Sequence, residues 1–389
     1  MEHDLIRGRA ADAPLPSPLE GVDSPADWLL RRRRAIRQLF EERFFGALPP
    51  RPAEVAYLTE RETPCFGGLG LRRDVAIRLR NGGREHVFKA LWYLPAAADA
   101  THPVPLVIGL NFKGNAACTP EPDVEMDESE PRGSAAEAWQ IPYLLERGLS
   151  LITAPRNRLF PDRADGRAAS IYRLFLPDSE LTPEHRNATA ISAWAWGCQR
   201  LLELGLTEPR IDAEAIWVMG HSRLGKTALW AAANEPRFAG VAAIESGCCG
   251  AAIARDSLPE SEHFRQIGRT FPWWFRRAFD DLAEREAGLA FDMHFLSALA
   301  APRPLLIASA AEDVWADPFN EFRNAAAVGE VYRFLGAGGL PEGAAFPAPD
   351  HCLRGDKVWY HLRSGKHCVR REDWEVIAEY ILQTQQQGG

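Results

Sequence analysis

Between residues 70 and 95 apolar and polar side chains alternate on both sides of Asn81-Gly82-Gly83, the period-two pattern of a β-hairpin closed by a glycine turn. From residue 103 onward the pattern changes. Short, almost wholly apolar runs appear at 103–112 (PVPLVIGLNF), 148–155 (GLSLITAP), 215–220 (AIWVMG), 238–246 (FAGVAAIES) and 303–310 (RPLLIASA). Between them lie helix-period stretches such as 188–204 and 224–235. A strand apolar on both faces is buried on both, so the alternation predicts a mostly parallel central sheet with helices on both faces. Residues 357–363 (KVWYHLR) read as the last strand and 371–382 as a C-terminal helix. Near the other end, 26–48 has apolar positions at helical spacing around a basic face, Arg31 to Arg34.

An antiparallel hairpin feeding a covered parallel sheet predicts the α/β-hydrolase fold. Residues 250–295 and 336–358, irregular and rich in Pro, Trp and charge, read as insertions over the C-terminal edge of the sheet, where such folds keep their sites. The expected organisation is a loose extension over 1–25 and a single catalytic domain over 26–385. Composition narrows the partners. At 389 residues with 46% hydrophobic and 25% charged residues the chain supports one large core. Its formal net charge of −8 argues against non-specific nucleic-acid binding, and no run of eighteen apolar residues or signal-like leader suggests a membrane anchor or export. The seven Cys lack paired zinc-ligand spacing and are expected to be reduced thiols, Cys248 and Cys249 included.

Residues 216–227, IWVMGHSRLGKT, fit two chemistries. Gly220, Gly225, Lys226 and Thr227 match a phosphate-cradling loop, while Gly220 and Ser222 after an apolar strand match a nucleophile elbow. Both demand strand, tight turn and helix, so the rest of the chain decides. A phosphate loop needs a magnesium-holding Asp at the end of another apolar strand, and Glu245 is only an imitation of it. A serine hydrolase needs an acid and then a late His, and the chain supplies Ser222, Glu245 and His367 in that order. The second glycine stands at +3 from the serine, where the usual elbow has it at +2.

The run GHSRLGKTALWAA resembles the G-[CH]-S-R-x-G-K-x-A signature of the glucuronoyl esterases, carbohydrate esterase family 15. LNFKGN (110–115), SAWAWGCQRLLELG (192–205), SGCCGAA (246–252), FPWWF (271–275), LAAPRPLLIASAAEDVWADP (299–318) and YHLRSGKH (360–367) resemble its bacterial members as well, so the likeness spans roughly 70–380. It implies hydrolysis of an ester on the C6 carboxyl of a glucuronic acid, as in 4-O-methyl-glucuronate branches of xylan joined to lignin alcohols. It also implies Ser222 as nucleophile, His367 as general base and Arg223 at the oxyanion. No metal and no cofactor are expected. The acid stays open between Glu245, which is favoured, and Asp313, beside Glu312; the other carboxylate would support the network. Lys226, Trp315 and Glu262 are implied sugar contacts, with Glu260 close enough to exchange with Glu262.

Each role has a plainer rival. Arg223 could be a structural ion pair, Lys226 a surface helix lysine and Trp315 a packing residue. His361 reads as a structural strand residue, His351 as a weaker base, and His221 as a side chain pointing away from the substrate. His221 stands where fungal members have Cys, which favours the bacterial branch. The expected partner is a glucuronate ester met by a monomer; the family implies a secreted or periplasmic protein, although the leader shows no signal. Other readings are an esterase of this fold acting on acetylated xylan, an inactive carbohydrate-binding relative, and a nucleotide-binding protein.

Overall fold

The computed structural model describes residues 14–128 and 130–388, which group into two compact units. One comprises Leu48–Met219, Arg237–Ala239 and the chain from Val369; the other comprises the described residues up to Ala47, Gly220–Pro236 and Gly240–Cys368. Of the expected loose extension, residues 1–13 lie outside the described residues. Residues 14–17 are fastened within the second unit: the Pro14 carbonyl accepts from Arg255, the Pro16 carbonyl lies 2.8 Å from His294 Nε2, and Ser17 donates to Glu330.

In the first unit β1 (Glu54–Cys65), β2 (Gly70–Asn81), β3 (Arg84–Pro95), β5 (Ser150–Pro155) and β4 (Val104–Asn111) are neighbours in that order. β6 (Ile211–His221) pairs with β4 in parallel. The hairpin falls where the alternation places it, with Asn81 paired to Arg84 and Gly82 and Gly83 at φ 56° and 79°, values that favour glycine. β1 is a correction. It extends the antiparallel edge, but most of its side chains are exposed and its sequence, EVAYLTERETPC, has no apolar face to betray it. The helix Ala190–Gly205 starts at Thr189, whose hydroxyl accepts from the Ser192 amide, and buries Trp194 and Trp196.

In the second unit β7 (Gly240–Ile244), β8 (Leu305–Ala310) and β10 (Val358–Arg363) run parallel, and β9 (His351–Arg354) closes the edge antiparallel to β10. Short, half-exposed β9 lies inside what read as an irregular insertion. The result is a mixed set of strands, with more antiparallel pairing than the apolar runs predict, in the α/β-hydrolase fold. The predicted helix over 26–48 is realised as successive turns ending at Phe45, and Gly46 at φ 79° releases the chain. Its Phe44 and Phe45 pack on Trp230, Phe264, Phe275 and Phe279, and Phe40 on Phe291, an aromatic core that ties the helix Arg223–Asn234 to the 250–295 insertion. No described helix is long and apolar enough to cross a membrane.

Candidate active site

The bend at Ser222 is built by its neighbours. β6 ends at His221, the helix Arg223–Asn234 begins one residue later, and Ser222 between them has φ 57° and ψ −128°, a conformation that costs a non-glycine residue of order 1–3 kcal/mol. A side chain at position 220 would run into the Leu224 carbonyl, and one at 225 would come 2.8 Å from Ser246 Cβ. These two close approaches explain the spacing. The glycine at +3 is the residue that meets the neighbouring loop, while Leu224 at +2 buries its side chain. The Ser222 amide donates to the Ile244 carbonyl at 2.9 Å, and its carbonyl accepts from the Gly225 amide at 2.8 Å.

The imidazole of His367 comes from the loop after β10. Its Nδ1 lies 2.6 Å from Asp313 Oδ2, just after β8, and 3.1 Å from Glu245 Oε2, just after β7. Three adjacent parallel strands thus deliver base and acids from their C-terminal ends. Glu245, favoured as orienting acid from the family resemblance, is the more distant carboxylate, and its Oε2 also stands 3.1 Å from His221 Nε2. Asp313 is the closer partner and is 5% exposed. Glu245 has φ 45°, a second strained non-glycine residue.

Two residues without an assigned role complete the cluster. Arg363, at the end of β10, is buried, donates to Glu245 Oε1 and to the carbonyls of Lys366 and Cys368, and so fixes the loop carrying His367. His221 turns toward Glu245 instead of away, and its ring centroid lies 4.4 Å from that of His367. His221 is the residue immediately before Ser222, so the His367 ring lies against the end of β6 from which the bend follows. A carboxylate acceptor at Nε2 requires the Nε2–H form of a neutral His221. The signal for Arg363 was present in YHLRSGKH, but a charged residue inside an apolar strand reads as an edge until its acid partner, 118 positions upstream, is known.

The electrostatics follow from these contacts. Burial disfavours a charged His367, yet the hydrogen bonds and charges of Asp313 and Glu245 outweigh it and push the imidazole up to about 10. Burial likewise favours a neutral Glu245, but bonds from His221 and His367 and the charge of Arg363 hold its carboxyl below its ordinary range. Burial alone prevails at His221, whose pKa is lowered.

Around the elbow stand the remaining expected residues. The Arg223 guanidinium carbon lies 4.5 Å from the Trp274 ring centroid and 5.0 Å from that of Phe271, two rings stacked 3.9 Å apart. Lys226 is buried, and its Nζ donates to the Ser246 carbonyl at 2.6 Å. Burial holds the Glu262 carboxyl above its usual range, opposed by the charges of Lys226 and Arg223 and by a hydrogen bond from Trp315. Glu260 is exposed, so Glu262 is the carboxyl that faces these groups. Trp315 leaves 47% of its surface open to solvent. His361 is buried in β10, where burial lowers it to about 4, and His351 is exposed on β9. Beneath the 246–251 loop, buried Glu321 accepts from Ser246 Oγ, the Gly247 amide and Ser309 Oγ. Sequence reasoning gave it no role. Among the described residues, His221, Glu245 and His367 also offer ligand atoms within 4.8 Å of one another, a set that could hold a metal ion.

The family model described as fungal glucuronyl esterase matches residues 147–336. A carbohydrate esterase from an unknown prokaryotic organism is 36% identical over 391 residues, spanning 94% of this chain and 88% of the relative. The 4-O-methyl-glucuronoyl methylesterase of Schizophyllum commune is 26% identical, with 84% and 72% covered. Among solved structures, a glucuronoyl esterase from Solibacter usitatus superposes with a TM-score of 0.87 at 32% identity, covering 96% of this chain and 98% of its own.

Proposed function

The chain belongs to the glucuronoyl esterases of carbohydrate esterase family 15, and on that premise we propose that it cleaves esters of glucuronic and 4-O-methyl-glucuronic acid by two acyl transfers through Ser222. The observation that supports the residue assignment is the imidazole of His367, hydrogen-bonded to Asp313 and packed on His221, the residue before the strained serine. Asp313 holds the Nδ1–H of a neutral His367, which leaves the Nε2 lone pair to take the Ser222 proton as the hydroxyl attacks the C6 ester carbonyl. His367 then returns that proton to the departing alcohol. Water repeats the sequence on the glucuronoyl ester of Ser222 and releases the acid.

Negative charge gathers on the carbonyl oxygen at each tetrahedral stage. The backbone N–H and guanidinium of Arg223 are the donors in this reading, each typically contributing ~3 kcal/mol at the transition state. Stacking on Trp274 and Phe271 holds the guanidinium without neutralising it. Lys226, Glu262 and Trp315 supply a cation, a carboxyl and an aromatic face for the ring hydroxyls of the sugar.

Benzyl glucuronate and an acetylated sugar separate the assignment from its nearest rival. The expected result is turnover of the glucuronate ester and its loss, by ~10⁴-fold or more, in Ser222→Ala. Turnover of the acetyl ester alone would reject the sugar-acid substrate, and undiminished activity of Ser222→Ala would reject the nucleophile.

A further inference from the structure

We infer that His221, Glu245 and His367 form a binding site for a divalent ion of the zinc type, and that its occupancy switches the esterase off. Two imidazoles and one carboxylate suit zinc, cobalt or copper, while magnesium and calcium call for an all-oxygen set. The spacing is also right. Glu245 Oε2 lies 3.1 Å from His221 Nε2 and 3.1 Å from His367 Nδ1, and ligand atoms on a tetrahedral zinc with bonds of ~2.0–2.1 Å stand ~3.3 Å apart. The third separation is within 4.8 Å and closes by a small swing of His367, whose side chain is 40% exposed and gives the ion its way in. Arg363 occupies Glu245 Oε1 and leaves Oε2 to face both rings, and Asp313 Oδ2, 2.6 Å from the same His367 nitrogen, reaches the fourth position by drawing back to ~3.3 Å from it.

The inhibition follows from the tautomer, and this half rests on the functional reading above. Catalysis needs a proton on Nδ1 of His367 and a lone pair on Nε2. At His221 the ion displaces the Nε2 proton to solvent while Nδ1 takes one up, so that ring stays neutral in its other tautomer; at His367 a metal bound at Nδ1 takes the lone pair there. The single proton of the neutral imidazole then sits on Nε2, and from the imidazolium one proton leaves to solvent. An Nε2–H cannot accept from the Ser222 hydroxyl, so turnover stops.

The full chain, stripped of metal with a chelator, is titrated with zinc chloride while bound zinc is read by equilibrium dialysis and activity with benzyl glucuronate. One zinc per chain is expected, with activity falling in parallel and returning on chelation. Cobalt chloride should give the intense visible bands of a four-coordinate ion. Both His221→Gln and His221→Ala should raise the zinc concentration for half-occupancy by about 30-fold or more, as loss of one ligand implies, whereas Cys248→Ser should change nothing. No bound zinc, a six-coordinate cobalt spectrum, or binding insensitive to both His221 variants overturns the site. Stoichiometric binding at full activity overturns the switch. The dialysis and cobalt readings do not depend on turnover, so a failure of the esterase assignment is told apart from a failure of the site.

Discussion

Two buried charge clusters invite comparison, because they contain similar residues and do different things. In the first unit Arg72, 1% exposed in its side chain, donates to Asp74, Glu121 and Asp123 at 2.7–3.0 Å. In the second, Glu245 and Asp313 share His367 while Arg363 holds Glu245 from behind. At Arg72 the central group is a guanidinium that never loses its proton, and its bonds hold Asp123 well below the carboxylate range. At His367 the central group titrates, is open to solvent, and is flanked by strained backbone at Ser222 and Glu245. A fixed cation among carboxylates is scaffolding. A removable proton among them, with strained backbone on either side, is the setting that the proposed acyl transfer needs.

The sharpest way to break this contrast is at Asp313. Asparagine there keeps the shape but lets the amide favour the wrong imidazole tautomer, which in the serine-triad arrangement costs ~10⁴ in kcat, about 5 kcal/mol of barrier. Asp313→Asn should therefore lose most turnover of benzyl glucuronate while its melting temperature stays close to that of the parent. Equal kcat in the two proteins would move the orienting role to Glu245.

Arg72→Met should do the reverse. It takes the cation from Glu121 and leaves Asp74 and Asp123 with Arg61, and removing one partner of a buried ion cluster costs about 3–5 kcal/mol; the lower end applies here, since Arg61 still pairs with two of the three carboxylates and Asp123 is 43% exposed. Denaturant unfolding should show the loss, with kcat of the folded fraction unchanged. If kcat fell and stability held, Arg72 would belong to the machinery after all.

The same contrast explains what the chain reveals unaided. Strands buried on both faces, such as β4 and β8, announce themselves as apolar runs, and the hairpin announces its turn through Gly82 and Gly83. The edge strands β1 and β9 do not, because edge strands carry polar side chains and their pairing is decided by neighbours far away in sequence. At the site, Ser222 and His367 were legible from order and motif. The ranking of Glu245 against Asp313, the inward turn of His221 and the clasp of Arg363 depend on distances between strand ends. No spacing along the chain encodes those distances.

Glu245→Gln offers the finest test. In the proposed mechanism His367 acts as a base only when neutral, and both carboxylates push its pKa up to about 10, so the competent fraction is small at neutral pH and grows as pH rises. kcat/KM of the parent should climb through the alkaline range with its midpoint near that value. Removing one of the two charges lowers the imidazole pKa, so the rising limb in Glu245→Gln should lie at lower pH, with a plateau within about tenfold of the parent because Asp313 still orients the ring. The stability linkage has the opposite sense. A raised folded pKa contributes stability that is fully present below the ordinary histidine value of 6.5 and is lost as pH rises through about 10. Activity and stability of the parent should accordingly diverge between those limits, one rising while the other falls, and the divergence should narrow in Glu245→Gln. Profiles that superpose for parent and variant would mean that the Glu245 charge does not reach the imidazole and that Asp313 alone sets its proton affinity.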